Sequence, residues 1–152
     1  MQRIVVLGRG GAGKSTAARQ LGSRTGIPVI ELDKHFWDEE LRPTPPVVWR
    51  DVQAELAARD RWIMEGDLGP YDQVEIRLAS ADTILLLDFP LVVCARRSLR
   101  RSRERFDYWR WVALWRYRSR PNLLRTIANS APDAQLVIVR NPRALERFLA
   151  KV

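Results

Sequence analysis

The stretch Gly8-Arg9-Gly10-Gly11-Ala12-Gly13-Lys14-Ser15 constrains this chain more than any other. Glycine at four of six successive positions marks a backbone that must turn and be approached closely. The residues before it, Arg3-Ile4-Val5-Val6-Leu7, are β-branched and apolar and read as a buried strand. Those after it, Lys14 to Thr25, read as a helix with Ala17, Ala18 and Leu21 on one face, and Gly26 suits its C-terminal cap. Strand, glycine turn and helix together aim backbone N–H groups and a positive helix end at an anion. The spacing is G-x-x-x-x-G-K-[ST], the phosphate-binding loop of nucleoside triphosphate sites. It predicts a cradle built by Gly8, Gly10, Gly11, Ala12 and Gly13, with Lys14 reaching the β- and γ-phosphates. Ser15 is expected to hold a magnesium ion through its hydroxyl, and Thr16 to contact the α-phosphate. The expected ligand is therefore ATP with Mg2+. The motif by itself does not choose among a kinase, an ATPase and a switch.

Beyond the loop, strands and helices alternate. Pro28 to Leu32 reads as a second strand, and Pro43-Thr44-Pro45-Pro46 as a stiff connection into a helix from Val47 to Ala58. Trp62 to Glu65 and Thr83 to Leu87 read as the third and fourth strands, with a helix from Tyr71 to Ala79 between them. Helices are expected over 91–105, 107–118 (stopping before Pro121) and 122–129, then a fifth strand over 135–139 and a closing helix over 142–150. Such alternation predicts an α/β fold: a P-loop NTPase with three α/β/α layers and a five-stranded parallel sheet. The 152 residues suit a single domain, 1–152, with no linker or internal repeat.

Parallel sheets bind ligands beyond the carboxyl ends of their strands. The glycine loop, Asp33, Glu65 to Asp67 and Asp88 all fall there. Asp33, after the second strand, is placed to orient an acceptor hydroxyl or take its proton, or else is a solvated loop acid. Glu65 and Asp88 both stand as carboxylates for the magnesium shell, and Asp88 reads equally as a helix N-cap. The sequence does not separate them.

The formal net charge is +8, and arginine supplies 23 of the 26 basic residues. That balance invites anionic partners such as nucleotides, phosphorylated metabolites or nucleic acid. Eleven arginines fall between 96 and 125, against Glu104 and Asp107 alone. A lid closing over the triphosphate would use arginines here, with Arg96 and Arg100 as catalytic candidates and Arg97 as a nucleotide contact. Eleven exceed what a lid needs, so most are expected to be solvated or paired. Tyr108, Trp109, Trp111 and Tyr117 interleave with arginine in a pattern that could stack bases of single-stranded nucleic acid. The alternative reading places Trp111, Leu114 and Trp115 on the core face of a helix. Cys94 lies in an apolar stretch and is expected to be buried, and His35 is a lone loop histidine. One cysteine, no signal-like N-terminus and no apolar run of membrane-spanning length point to a cytoplasmic protein.

The chain as a whole resembles a family, the adenylate-kinase-related DNA topology modulation proteins of the FlaR type. The likeness runs through Gly8 to Thr16, then Glu31-Leu32-Asp33-Lys34-His35-Phe36-Trp37, Trp49, and Trp62 to Gly66. It continues through Ile76-Arg77-Leu78, Ala81-Asp82, Leu87-Asp88-Phe89-Pro90 and Arg118-Ser119-Arg120-Pro121. It implies a nucleoside- or shikimate-kinase-like fold with an acceptor-binding region near 33–61 and a short Arg-rich lid near 96–120. It also implies that Asp33 faces the acceptor, that Glu65 serves the magnesium shell, and that Arg140-Asn141-Pro142 lie near the adenine. Two departures stand out. Arg105-Phe106-Asp107 follows the basic helix almost directly, which shortens the lid, and the family's usual Gly-Asn-Tyr reads Gly66-Asp67-Leu68.

The reading that results is a kinase moving the γ-phosphoryl group of Mg-ATP to a nucleoside monophosphate or a hydroxylated metabolite. Two alternatives are a nucleic-acid-associated regulator that uses ATP, and an ATPase switch. No DNA-reading module is visible, so nucleic acid is the less favoured partner.

Overall fold

The computed structural model describes residues 1–68, 72–101 and 106–152, with backbone alone for 100, 101, 106–108 and 111. Five strands form one parallel sheet: β1 (Arg3–Gly8), β2 (Val29–Glu31), β3 (Trp62–Glu65), β4 (Thr83–Leu87) and β5 (Gln135–Val139), in the order β2-β3-β1-β4-β5. β1 is thus the central strand, flanked by the fully buried β3 and β4. The register pairs Val6 with Glu65 and Gly8 with Leu87. Glu31 pairs with Glu65. The glycine loop and the acids that follow β2, β3 and β4 therefore leave the sheet along one edge.

Alternation of side chains along each strand fills both faces. Val5, Leu7, Met64, Ile84 and Leu86 point into a layer with Trp49, Leu56, Leu78, Trp115 and Ile127. This layer is built by α3 (Pro46–Ala57), α4 (Val74–Ser80) and α7 (Ser119–Ser130). Ile4, Val6, Ile63, Leu85 and Leu87 point the other way, onto Ala17, Ala18, Leu21, Cys94 and Leu149. There the cover comes from α1 (Lys14–Thr25), α5 (Leu91–Arg101) and α8 (Pro142–Leu149). Small alanines let α1 lie close to the sheet, which brings the first turn of that helix over the end of β1. Among the described residues, no helix is long and apolar enough to cross a membrane.

Several helix boundaries differ from the sequence reading. A short helix, α2 (Asp33–Phe36), follows β2 where none was expected. The Phe36 ring it carries is buried edge-on against Trp49, 5.1 Å between centroids, and that packing holds the turn. The helix expected from 107 to 118 is α6 (Phe106–Leu114), and α7 begins at Ser119 and contains Pro121. Proline is tolerated there because first-turn N–H groups have no partner inside a helix. Trp115 sits in the turn between them and is buried, so its core role holds without the helix. The α4 helix starts at Val74 rather than Tyr71, since Asp72 and Gln73 are not helical; Tyr71 itself and the expected extension of α5 over 102–105 lie outside the described residues.

One buried arginine ties this layer to the loop after β3. Arg77 on α4 is fully buried and meets Asp72 through Nη1 at 2.6 Å and Nη2 at 2.8 Å. Its Nη1 also donates to Gln53 Oε1 on α3 at 3.0 Å, and Nη2 to the Gly66 carbonyl at 3.2 Å. A guanidinium suits this because its planar fork serves two directions at once. Removing it would strand Asp72 and Gln53 in a mostly buried place. Arg77→Met is expected to destabilise the fold by about 3–5 kcal/mol, measured by urea denaturation. Arg77→Lys should recover only part of that loss, since a single ammonium cannot span the three partners.

Candidate active site

The glycine loop is held in a shape that side chains would break. Gly11 has φ +76°, and a Cβ there would lie 2.4 Å from both the Cys94 carbonyl oxygen and Ser98 Oγ on α5. Gly13 caps α1 at φ +91°, in the left-handed region, and starts the helix one residue before Lys14. Gly8 approaches Leu87, Gly10 is buried in the turn, and the Ala12 N–H donates to the Arg9 carbonyl at 3.1 Å. The loop thus wraps the N-terminus of α1 in the manner its spacing predicts.

Lys14 curls back over this loop. Its Nζ donates to the Gly8 carbonyl at 3.0 Å and lies 3.4 Å from that of Arg9. Ser15 shares a hydrogen bond with the Glu65 carboxylate. Glu65 is buried, and burial pushes its pKa above the ordinary carboxylate value; the Ser15 hydrogen bond and Lys14 oppose that rise, while Asp33 and Glu31 add to it. Asp33 opens to solvent on one side, but the protein packed around its carboxyl raises its pKa too. Lys14 opposes this rise, and Asp67, Asp72 and Glu31 reinforce it. Lys14, Ser15, Asp33 and Glu65 therefore form one electrostatic group at the carboxyl ends of β1, β2 and β3.

Asp88 is arranged differently. Its carboxylate is buried and receives Nε of Arg120 at 3.0 Å, an ion pair between the end of β4 and the first turn of α7. Arg97 donates from Nη1 to the Ala12 carbonyl at 3.0 Å and lies over the Phe89 ring at 5.6 Å. Arg96 is exposed, and the side chain of Arg100 lies outside the described residues. Asn141 caps α8, its Oδ1 accepting the Ala144 N–H at 2.8 Å. Beside it a cavity of ≈ 410 Å³ opens from the glycine loop between Thr16, Gln20 and Arg97 on one side and Pro142 and Leu145 on the other. His35 is exposed, and Cys94 is buried with its thiol pKa raised by that burial.

Three arginines at the site carry no role in the sequence reading. Arg77 braces Gly66, and Arg120 neutralises Asp88. Arg9, inside the glycine loop, is buried over the Trp115 ring at 5.4 Å, and its Nε and Nη1 find no partner among the described protein groups. Sequence offers only a faint signal for Arg9 and Arg120, whose partners Trp115 and Asp88 are far off in the chain; Arg77 and Asp72 lie five residues apart, a spacing the sequence reading did not use.

The chain matches no family model and no curated protein sequence. Solved structures do match. A sugar kinase from Janibacter sp. HTCC2649 has a TM-score of 0.63 at 21% identity, covering 99% of this chain and 93% of that one. Shikimate kinase from Acinetobacter baumannii, in complex with shikimate, has a TM-score of 0.66 at 20% identity, covering 99% and 90%. Deoxyadenosine kinase from M. mycoides with bound dATP has a TM-score of 0.58 at 12% identity, covering 99% and 98%. The protein therefore has the three-layer P-loop fold of small-molecule kinases, with the five-stranded parallel sheet expected from its sequence.

The two raised carboxyl groups have a measurable consequence for stability. The folded chain takes up protons at Asp33 and Glu65 at higher pH than the unfolded chain, whose carboxyls wait until about pH 4. Their ionisation therefore lowers stability above the folded pKa values, and that loss is relieved as pH falls towards the unfolded values. Asp33→Asn and Glu65→Gln are each expected to raise the melting temperature at pH 7.5, and the gain should shrink steadily as the pH approaches about 4. Thermal unfolding followed by circular dichroism across that range is the check.

Proposed function

We propose that this chain is a small P-loop kinase that transfers the γ-phosphoryl group of Mg-ATP to a hydroxyl group of a compact acceptor. The observation that carries the reading is the convergence of Lys14, Ser15, Glu65 and Asp33 on the mouth of the glycine loop. A bare ATP switch needs the first three; Asp33, raised in pKa and facing the same lysine, adds a group able to take a proton.

The roles follow from position and chemistry. Backbone N–H groups of Gly11 to Ser15 receive the β-phosphate, and Lys14 leaves the Gly8 carbonyl for the β- and γ-phosphate oxygens. Thr16, Gln20, Arg97 and Pro142 line the cavity where the α-phosphate, ribose and base would extend. The donor set at Ser15 and Glu65 is all oxygen, with one carboxylate, which fits magnesium held mainly by phosphates and water. Magnesium bound there would neutralise charge between the β- and γ-phosphates. Asp88, already paired to Arg120, is left to orient α7. Asp33 takes the proton from the acceptor hydroxyl as its oxygen bonds to the γ-phosphorus. The bond from that phosphorus to the β,γ-bridging oxygen breaks, and ADP leaves. Arg96, Arg97 and Arg100 are the lid candidates for the charge on the transferring group.

The likeness to the DNA topology modulation family is compatible with this chemistry and rests on the residues quoted above. Nucleic-acid binding draws less support, since the solved structures that match are small-molecule kinases; Arg9, Arg77 and Arg120 are spent on internal contacts, while Arg96, Arg97, Arg116 and Arg118 stay exposed. Release of ADP from Mg-ATP, followed with a panel of hydroxylated acceptors, tests the proposal. Acceptor-dependent turnover should fall at least about 100-fold in Lys14→Ala and in Asp33→Asn, with Asp33→Asn retaining ATP affinity. Turnover that ignores the acceptor, or that survives in Asp33→Asn, would replace the kinase by an ATPase.

A further inference from the structure

The nucleotide cavity of ≈ 410 Å³ runs between α1 on one side and α8 on the other, with the glycine loop at one end. Gly11, Ala12 and Gly13 close that end, and Thr16 follows on the first turn of α1. Gln20 lines the cavity one helical turn further along, about 6 Å from Thr16 at roughly 1.5 Å per residue. Glu146 lines it from the second turn of α8. Pro142 and Glu146 also border a broader groove of ≈ 1020 Å³, which runs along the outside of α8 past Arg143 and Arg147. Glu146 therefore stands at the outer rim of the nucleotide cavity, away from the glycine loop. A nucleotide with its phosphates in the loop sets its α-phosphate at Thr16, its ribose beyond, and its base between Gln20 and Glu146.

The other side chains of the lining leave the edge of that base unread. Ala17, Pro142 and Leu145 are apolar and pack against its faces. Arg97 is bonded through Nη1 to the Ala12 carbonyl and lies over Phe89. Asn141, expected from the sequence to meet the nucleotide, uses its Oδ1 to cap α8. Gln20 and Glu146 are exposed, and neither makes an ion pair or a side-chain hydrogen bond among the described residues. Their chemistries differ. An amide carries two N–H donors and an acceptor oxygen, whereas an ionised carboxylate only accepts. The amide matches the edge of adenine, where the amino group at position 6 stands beside the acceptor N7. A carboxylate across from it takes the second amino hydrogen. A purine with a carbonyl at position 6 instead turns oxygen lone pairs towards the carboxylate, and that mismatch rejects it.

We infer, building on the nucleotide site of the kinase reading, that Gln20 and Glu146 select the base of the phosphoryl donor. They accept a purine with an amino group at position 6 and reject one with a carbonyl there. Gln20 pairs with the amino group and N7, and Glu146 accepts the remaining amino hydrogen.

The test is titration calorimetry on the full chain with the magnesium complexes of ADP, IDP and GDP, which have no γ-phosphoryl group to lose during the measurement. IDP differs from ADP in the carbonyl at position 6 and the proton this places on N1. ADP should bind at least about tenfold more tightly than IDP or GDP, the effect of one charge-assisted hydrogen bond. Glu146→Gln supplies a donor for a carbonyl and should bring IDP to within about threefold of ADP. Gln20→Ala should weaken ADP about tenfold and IDP less. Both side chains are exposed, so neither substitution threatens the fold. Lys14→Ala should weaken all three nucleotides alike, since it acts on the phosphates. Equal binding of ADP and IDP, an unchanged ratio in Glu146→Gln, or a preference for GDP, whose N1–H and position-2 amino group also suit a carboxylate, would each overturn the inference. Equal binding of all three that is lost in Lys14→Ala removes only the base assignment. Failure of all three to bind the wild-type chain overturns the phosphate-loop reading and the inference with it.

Discussion

The seating of the glycine loop against α5 is the constraint on which the rest of the site depends. Gly11 leaves no room for even one carbon between itself and the Cys94 carbonyl and Ser98 hydroxyl. That closeness fixes where the first turns of α5 run. Arg97 then ties the same helix to the Ala12 carbonyl from the solvent side. The β1–β4 register fixes the other end, since Gly8 lies against Leu87 as closely as Gly11 lies against α5. The loop is therefore clamped between a strand end and a helix start. Its backbone shape is thereby set before any ligand binds, and α5, from which the arginine-rich segment departs, starts from a defined direction.

Placing carboxylates around one lysine is the second organising device. Lys14 acts on both Asp33 and Glu65, yet burial is the larger influence on each. A group whose pKa is raised holds a proton more readily, which suits Asp33 as a proton acceptor. Glu65 has a different environment, because Ser15 donates to it and stabilises its charged form. Two acids under the same lysine thus differ in their partners, since only Glu65 is hydrogen-bonded to Ser15, although burial raises the pKa of both. Asp88, at the end of the neighbouring strand, is removed from both by Arg120. Two carboxylates that look alike in sequence thus have different partners, Ser15 for Glu65 and Arg120 for Asp88.

Legibility in the sequence followed the range of the interactions involved. The loop, the strand ends and the order of elements depend on local periodicity and glycine placement, so they can be read from Arg3 to Gly13 or from Thr83 to Leu87 directly. The short helix at Asp33 could not, because it is held by Phe36 on Trp49 rather than by its own propensity. The break between α6 and α7 was obscured by Pro121, which reads as a stop from one side and as a first-turn residue from the other. The charge pairings were the least legible. Asp88 and Arg120 stand 32 residues apart, and Arg77 and Gln53 stand 24 apart. Only the fold says which arginine in a basic segment finds which acid.

Those pairings change what the net charge means. A strongly basic chain ordinarily suggests a surface for polyanions, but that inference requires the cations to face solvent together. Here Arg77 is sealed in the core, Arg120 is mostly spent on a buried carboxylate, and Arg97 bridges loop and helix. Arg9 is the extreme case. Desolvation pushes its pKa down, and two of its N–H groups lack partners among the described groups, a costly state for a guanidinium. Part of that cost is offset by the Trp115 ring beneath it and the negative charge of Asp88 nearby. The loop thus carries two cations of unlike standing: Lys14, satisfied by the Gly8 carbonyl, and Arg9, held behind the loop with part of its desolvation cost uncompensated.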